Sequence, residues 1–225
     1  MEILMTTHLP TLAILGGTGK EGPGLAMRWA HTGYPVIIGS RQEEKALKTA
    51  REINQALGIE SIRGKHNSAA ARSADICVLT VVESAQQSAL KSLRDDLQSK
   101  ILVDATARVD FRDPKPPAAP SAGRIAQEIL GQGVRVVAAF QNVPAHALKK
   151  NLGQSLDTNV LVCADDIHAA EQVIQLSEAG GMRAYYAGGL DNAIVVEGLT
   201  AVLISMNKYY GVKTASISIA GVPNS

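Results

Sequence analysis

Aromatic side chains are scarce in this 225-residue chain: one Trp, two Phe and five Tyr, 4% of all residues. Any core must therefore be built from aliphatic residues, and apolar types at 46% suffice for one substantial core, or a domain with a smaller companion. Cysteine is scarcer still. Cys77 and Cys163 each lie in a strand-like apolar run, Asp75–Thr80 and Asn159–Ala164. Two such residues make neither a disulfide framework nor a metal-ligand pattern. Both are expected as buried free thiols packing like small hydrophobes, and no metal site is expected. An excess of charge is also missing. The formal net charge of +1 argues against a broad surface for nucleic acid or anionic membrane, although one local phosphate site would not show in that sum. No uninterrupted apolar run reaches the roughly 18 residues of a membrane span. Met1–Pro10 lacks a basic segment followed by an apolar core, so no secretory leader is expected. The expected setting is the cytoplasm, with no nucleic-acid and no membrane partner.

What is present is an alternation of short β-branched runs with longer helical patterns. Strands are expected at Thr11–Leu15, Tyr34–Ile38, Ile59–Gly64, Asp75–Val81, Ile101–Asp104 and Val134–Phe140, and helices at Gly22–His31, Arg41–Leu57, Ser84–Leu97 and Ser121–Leu130. Trp29 is expected to pack onto the sheet. Asp110–Pro120, with Pro114, Pro116, Pro117 and Pro120, reads as a loop. Strands separated by helices imply an α/β fold of the Rossmann type, a doubly wound, mostly parallel sheet covered on both faces. Beyond about Lys150 the rhythm changes to a strand at Asn159–Ala164, a helix at Ile167–Glu178, a strand at Met182–Tyr186 and a long apolar helix at Asp191–Tyr210. We read residues 1–150 as a nucleotide-binding domain and 151–225 as a smaller C-terminal lobe, with extension of the first sheet as the alternative.

Directly after the first strand stands Gly16-Gly-Thr-Gly-Lys-Glu-Gly22, which contains G-x-G-x-x-G as Gly17, Gly19 and Gly22. Glycine serves here for a tight turn, close backbone approach to a pyrophosphate and close helix–strand packing. The amides and dipole of the following helix favour phosphate charge. Thr18 and Lys20 belong to the same turn. The tip of the second strand selects the dinucleotide. An NAD site usually carries a carboxylate there, whereas this strand ends Ile38-Gly-Ser-Arg41. Ser40 offers a hydrogen bond, Arg41 a planar cationic fork, and Lys45 a second positive charge one turn on. The expected ligand is NADP(H). Glu21 is out of place beside a pyrophosphate: either Lys20 offsets it or its side chain turns to solvent.

The stretch Leu12–Ala26, followed by Gly33-Tyr-Pro-Val-Ile-Ile-Gly-Ser-Arg41 and Glu44-Lys45, closely resembles the NADPH-dependent coenzyme F420 reductases. The resemblance continues through Ala74–Val81, Ser121-Ala122, Val137–Ala145, Val162–Asp166 and Ala187–Ala193, nearly the whole chain after the first ten residues. It implies hydride transfer between NADPH and the deazaflavin F420. It also implies that Thr18, Ser40, Arg41 and Lys45 hold the 2′-phosphate end and that Thr80, Val81 and Val82 border the nicotinamide. Gln141, Asn142, Val143 and Pro144 would line the deazaflavin pocket, and a homodimer is implied as well. Gln141 departs from the pattern, because a member of that family has histidine there. Direct hydride transfer asks the protein to stack two rings and exclude water, so no catalytic acid–base residue is expected.

Other residues have plainer readings. His146 is expected at the surface or in packing. Asn142 either meets a ring carbonyl or stabilises the turn before Pro144. Asp165-Asp166 reads as a helix N-cap with first-turn charge. Ile194, Val195, Leu199, Val202, Leu203 and Met206 form an apolar face expected in the core, with a subunit interface as the alternative. Two further functions stay open: an NADP-dependent reductase with another acceptor (flavin, metal chelate or imine), and a non-catalytic NADP(H) sensor.

Overall fold

The computed structural model of the chain describes residues 9–222. Most of the Met1–Pro10 segment, read above as lacking a leader, lies outside the described residues. Eight strands form one sheet: β1 (Leu12–Leu15), β2 (Val36–Ser40), β3 (Arg63–His66), β4 (Ile76–Leu79), β5 (Ile101–Asp104), β6 (Arg135–Ala138), β7 (Asn159–Ala164) and β8 (Arg183–Tyr186). Their order is β3-β2-β1-β4-β5-β6-β7-β8, parallel throughout except for the antiparallel β6–β7 pair. The strand order reverses at β1, which opens a crevice at the carboxyl ends of β1 and β4.

Alternate residues of each central strand enter opposite apolar layers. Leu12, Ile14, Val78 and Val103 join α1 (Gly22–His31), α2 (Glu43–Leu57) and α7 (Ile167–Ala179) on one face. Ala13, Leu15, Leu79 and Leu102 join α3 (Asn67–Arg72), α4 (Glu83–Leu93), α5 (Ala122–Leu130) and α8 (Ala193–Tyr210) on the other. A parallel sheet buried on both faces reads as continuous apolar runs, which is why these strands carry almost no polar residues. Cys77 and Cys163 are buried and unpaired, as expected. Trp29 packs edge-on against Phe140, ring centroids 5.8 Å apart, and its Nε1 donates to the Leu176 carbonyl.

Three element boundaries move for physical reasons. Pro35 carries no N–H, and β2 begins after it, so the strand runs on to Ser40. The Asn54 side chain bonds both backbone groups of Ile62, keeping Ile59–Ile62 out of the sheet, and β3 starts at Arg63. The α2 helix starts at Glu43, which leaves Arg41 in the bend before it. The largest correction concerns α8. It buries Ala193, Val196, Glu197, Thr200, Ala201 and Leu203, while Val195, Val202 and Met206, expected in the core, face outward. The Glu197 carboxylate, tied to the Ala122 amide and to Arg108, sets this rotation. By length and mean hydropathy (1.3) Leu190–Tyr210 could cross a membrane. This fully buried carboxylate instead packs the helix against α5.

One buried cation joins the two halves of the chain. Arg28 on α1 is 3% exposed and has no carboxylate partner among the described residues. Its guanidinium donates to the carbonyls of Leu148 (2.8 Å), Lys150 (2.7 Å), Gln154 (3.2 Å) and Gly180 (3.0 Å). Leu148 ends α6 (Ala145–Leu148) and Gly180 caps α7, so Arg28 answers carbonyls that a helix end leaves unpaired. Replacing it with an apolar side chain strands these acceptors. Arg28→Met is expected to cost about 3 kcal/mol and to lower the unfolding temperature by about 10 °C in a calorimetric scan.

Candidate nucleotide site

The turn after β1 is defined by close approaches. Gly16 has φ +69°, and a Cβ there would lie 2.4 Å from the Val81 side chain. At Gly17 a Cβ would lie 2.6 Å from the Ile14 carbonyl oxygen, and at Gly22 2.6 Å from the Gly17 Cα. Gly19 has open space above it, with nothing nearer than 3.9 Å. Two of the three motif glycines therefore serve packing and one leaves room for a ligand.

The turn is fastened at its first residues. The Gly17 amide donates to the Gly39 carbonyl on β2, and the Gly16 amide to Oδ1 of buried Asn67. A Cβ at Gly39 would sit 2.7 Å from that same Oδ1, so Gly39 admits the Asn67 side chain. The amides of Thr18, Gly19, Lys20 and Glu21 have no partner among the described residues. Unpaired amides at the start of a ten-residue helix make a cradle for an anion.

The other expected residues stand along the same edge of the sheet. Ser40 ends β2, buried, its Oγ accepting from the Gln42 amide at 3.2 Å. Arg41 and Lys45 are exposed and make no ion pair among the described residues. Thr80, Val81 and Val82 follow β4, with Thr80 bonded back to Leu15 and Val82 exposed. Gln141–Pro144 follow β6. They begin after Phe140, whose φ of +75° is a strained value for a non-glycine residue. Gln141 Nε2 donates to the Asp104 carbonyl at 3.0 Å, and Asn142 Nδ2 to the Asn159 carbonyl at 2.7 Å. Asn142 thus ties the turn to β7. The buried oxygens Gln141 Oε1, Asn142 Oδ1 and Thr106 Oγ1 have no partner among the described residues. Such orphaned groups are uncommon unless a ligand or water completes them.

Outside that set, His146 is exposed. Asp166 caps α7 by accepting from the Ala169 amide, whereas Asp165 pairs with Arg124 at 2.8 Å and accepts from the Leu190 amide. Asp165 is therefore a tie to α5 and not a first-turn charge.

Glu21 follows neither expected course. Its Oε1 is buried without a partner, and burial, with the charge of Asp104 adding to it, pushes the carboxyl up to about 8. Asp104, fully buried at the end of β5, is raised by burial. Bonds from the Thr106 amide at 3.0 Å and from Gln86 Nε2 work the other way. Glu197 is likewise raised by burial, countered by the Ala122 and Arg108 bonds. Sequence reading missed Asp104, Glu197, Gln86 and Asn67, because each lies in or beside an apolar run with nothing local to mark it.

With this geometry, the comparisons with known proteins are specific. The sequence profile described as "NADP oxidoreductase coenzyme F420-dependent" matches residues 11–108. The F420-dependent NADP reductase of Methanothermobacter thermautotrophicus is 40% identical over 222 residues, covering 94% of this chain and 95% of that protein. The enzyme of the same description from Methanocaldococcus jannaschii is 38% identical over 226 residues, covering 94% and 98%. A solved structure from Arthrobacter sp. FB24, assigned as an F420-dependent NADP reductase, superposes with a TM-score of 0.77 at 26% identity, covering 94% of this chain and 100% of that one. Rossmann-type oxidoreductases are the class that fold and site define. The chain belongs to the coenzyme F420-dependent NADP oxidoreductase family.

The inward carboxyl has a measurable cost. An unfolded Glu ionises near pH 4.5, whereas folded Glu21 keeps its proton until about pH 8. Its contribution to stability therefore falls as pH rises from 4.5 to 8. Glu21→Gln should unfold at a higher temperature than the parent at pH 8, with the gap closing toward pH 4.

Proposed function

We propose that this protein transfers hydride between NADP(H) and the deazaflavin coenzyme F420. The observation that carries the reading is the glycine turn with four unpartnered amides, beside a β2 tip that ends Ser40-Arg41 with no carboxylate. Membership of a family whose relatives are F420-dependent NADP reductases favours F420 over a flavin, a metal chelate or an imine, and an enzyme over a non-catalytic sensor.

The residues fit these groups. The amides of Thr18, Gly19 and Lys20 take the pyrophosphate, which Gly17 and Gly22 bring close to the sheet. Ser40, Arg41 and Lys45 take the 2′-phosphate, with Thr18 at its rim. Thr80, Val81 and Val82 border the nicotinamide, and Gln141, Asn142, Val143 and Pro144 line the deazaflavin pocket. The two bound rings supply the hydride donor and acceptor, so the chain contributes alignment and exclusion of water without an acid–base catalyst. Gln141 suits a positioning role, because its amide nitrogen is held by Asp104 and its oxygen is left free to meet a ring donor.

In this reading residues 1–150 carry the dinucleotide and 151–225 supply the far wall of the pocket and the contacts of a homodimer. The outward stripe of α8 supports the dimer: Val195 (64% exposed), Val202 (48%) and Met206, continuing to Tyr209 and Tyr210. Contiguous apolar surface of this kind marks an interface. The partners are small-molecule cofactors and a second copy, with no nucleic acid and no membrane, and the setting is the cytoplasm.

Turnover tests the reaction: NADPH mixed with the protein should bleach the visible band of F420 and not that of FMN or FAD. Arg41→Ala should weaken NADPH binding about tenfold and leave NADH unchanged in a fluorescence titration. Equal weakening of both would remove Arg41 from the 2′-phosphate site. For the dimer, sedimentation of the parent should give twice the 23.7 kDa chain mass, and Val202→Asp with Met206→Asp should give the single-chain value.

A further inference from the structure

The Glu21 carboxyl lies at the junction of the glycine turn and the end of β5, beside Asp104. Against Asp104 stand Thr106, whose Oγ1 is unpartnered among the described residues on a residue 2% exposed, and Gln141, whose Oε1 is likewise unpartnered on a residue 6% exposed. Gln141 and Thr106 both bond Asp104. These atoms form one buried polar group with fewer hydrogen bonds than it can make. A dinucleotide on this fold runs from the β2 tip across the crevice beyond β4, so its nicotinamide half lies over the β4–β5 end of the edge. Glu21, with one buried oxygen, feels the charge of Asp104 at that end.

We propose that Glu21 sets the preference of this site for the oxidised or the reduced nicotinamide. The inference rests on the NADP(H) reading above. Oxidised nicotinamide carries a positive ring and the reduced form a neutral one. A protonated Glu21 treats the two alike, whereas an ionised Glu21 attracts only the cation. The field is strong because one carboxyl oxygen is buried away from water. The preference for NADP+ over NADPH therefore rises with pH as Glu21 loses its proton. By the same linkage, binding of NADP+ expels that proton and binding of NADPH does not.

Other charged groups belong to the turn and to the elements at this end of the sheet. Asp104 at the end of β5 couples to it directly, so the pair titrates together. Glu197 on α8 carries its own counterion in Arg108. Lys20 in the turn, Glu83 in the first turn of α4 and His146 on α6 are exposed, where water and salt screen them. The phosphates of the ligand are common to both redox forms, so their titration cancels in a ratio of affinities.

Calorimetric titration of the full chain with NADP+ and with NADPH, at intervals from pH 6.5 to 9, reads this directly. Kd(NADPH)/Kd(NADP+) should rise about tenfold across that range in the parent. It should stay at its low-pH value in both Glu21→Gln and Glu21→Leu. In buffers of different ionisation enthalpy at pH 7.5, NADP+ binding should release a fraction of a proton from the parent and none from Glu21→Gln. The 2′-phosphate derivative of ADP-ribose, which lacks nicotinamide, should bind parent and variants alike. A flat ratio in the parent, or a slope that survives in Glu21→Gln, overturns the inference while the NADP(H) reading stands. If neither dinucleotide binds, that reading falls first.

Discussion

The whole nucleotide edge depends on how tightly β1, the glycine turn and α1 are drawn together. A single methyl group at Gly17 or Gly22 would sit within 2.6 Å of backbone, so the turn has one conformation or none. What fixes it lies outside the motif. The β2 carbonyl of Gly39 and the Asn67 side chain take the first two amides, and the next four have no partner among the described residues. These donors stay available because their neighbours are occupied.

A second constraint is electrostatic. Glu21, Asp104 and Glu197 bring three carboxyl groups into a water-poor region, and the structure treats each differently. Glu197 is met by Arg108 and an amide, Asp104 by the Thr106 amide and Gln86, and Glu21, among the described residues, by nothing at one oxygen. Like charges in such a region cannot all be present at once. The proton is held where the hydrogen bonds are fewest.

The sequence made some of this plain and hid the rest for identifiable reasons. The strand–glycine–helix unit, Ser40-Arg41 and the family were legible because they are local, read from consecutive residues. The doubly wound sheet was legible because both faces are buried and the strands are uniformly apolar. The orientation of α8 was not, since an apolar helix offers several faces and the deciding contact, Glu197 to Ala122, spans 75 residues. The inward course of Glu21 was hidden likewise: its neighbour Asp104 lies on another strand, β5, two positions along the sheet from β1. The short α3 helix escaped because its alanine run carries no amphipathic pattern, yet it delivers Asn67 to the turn.

Arg28 has a consequence for synthesis. Its acceptors lie 120 to 152 residues further along the chain. At roughly 5–20 residues per second of translation, the last of them emerges about 10–30 s after α1. During that interval α1 carries a cation meant for the interior with only water to receive it. Docking of α1 onto its final neighbours must wait for the C-terminal third, which makes the order of emergence from the ribosome part of how this reductase matures.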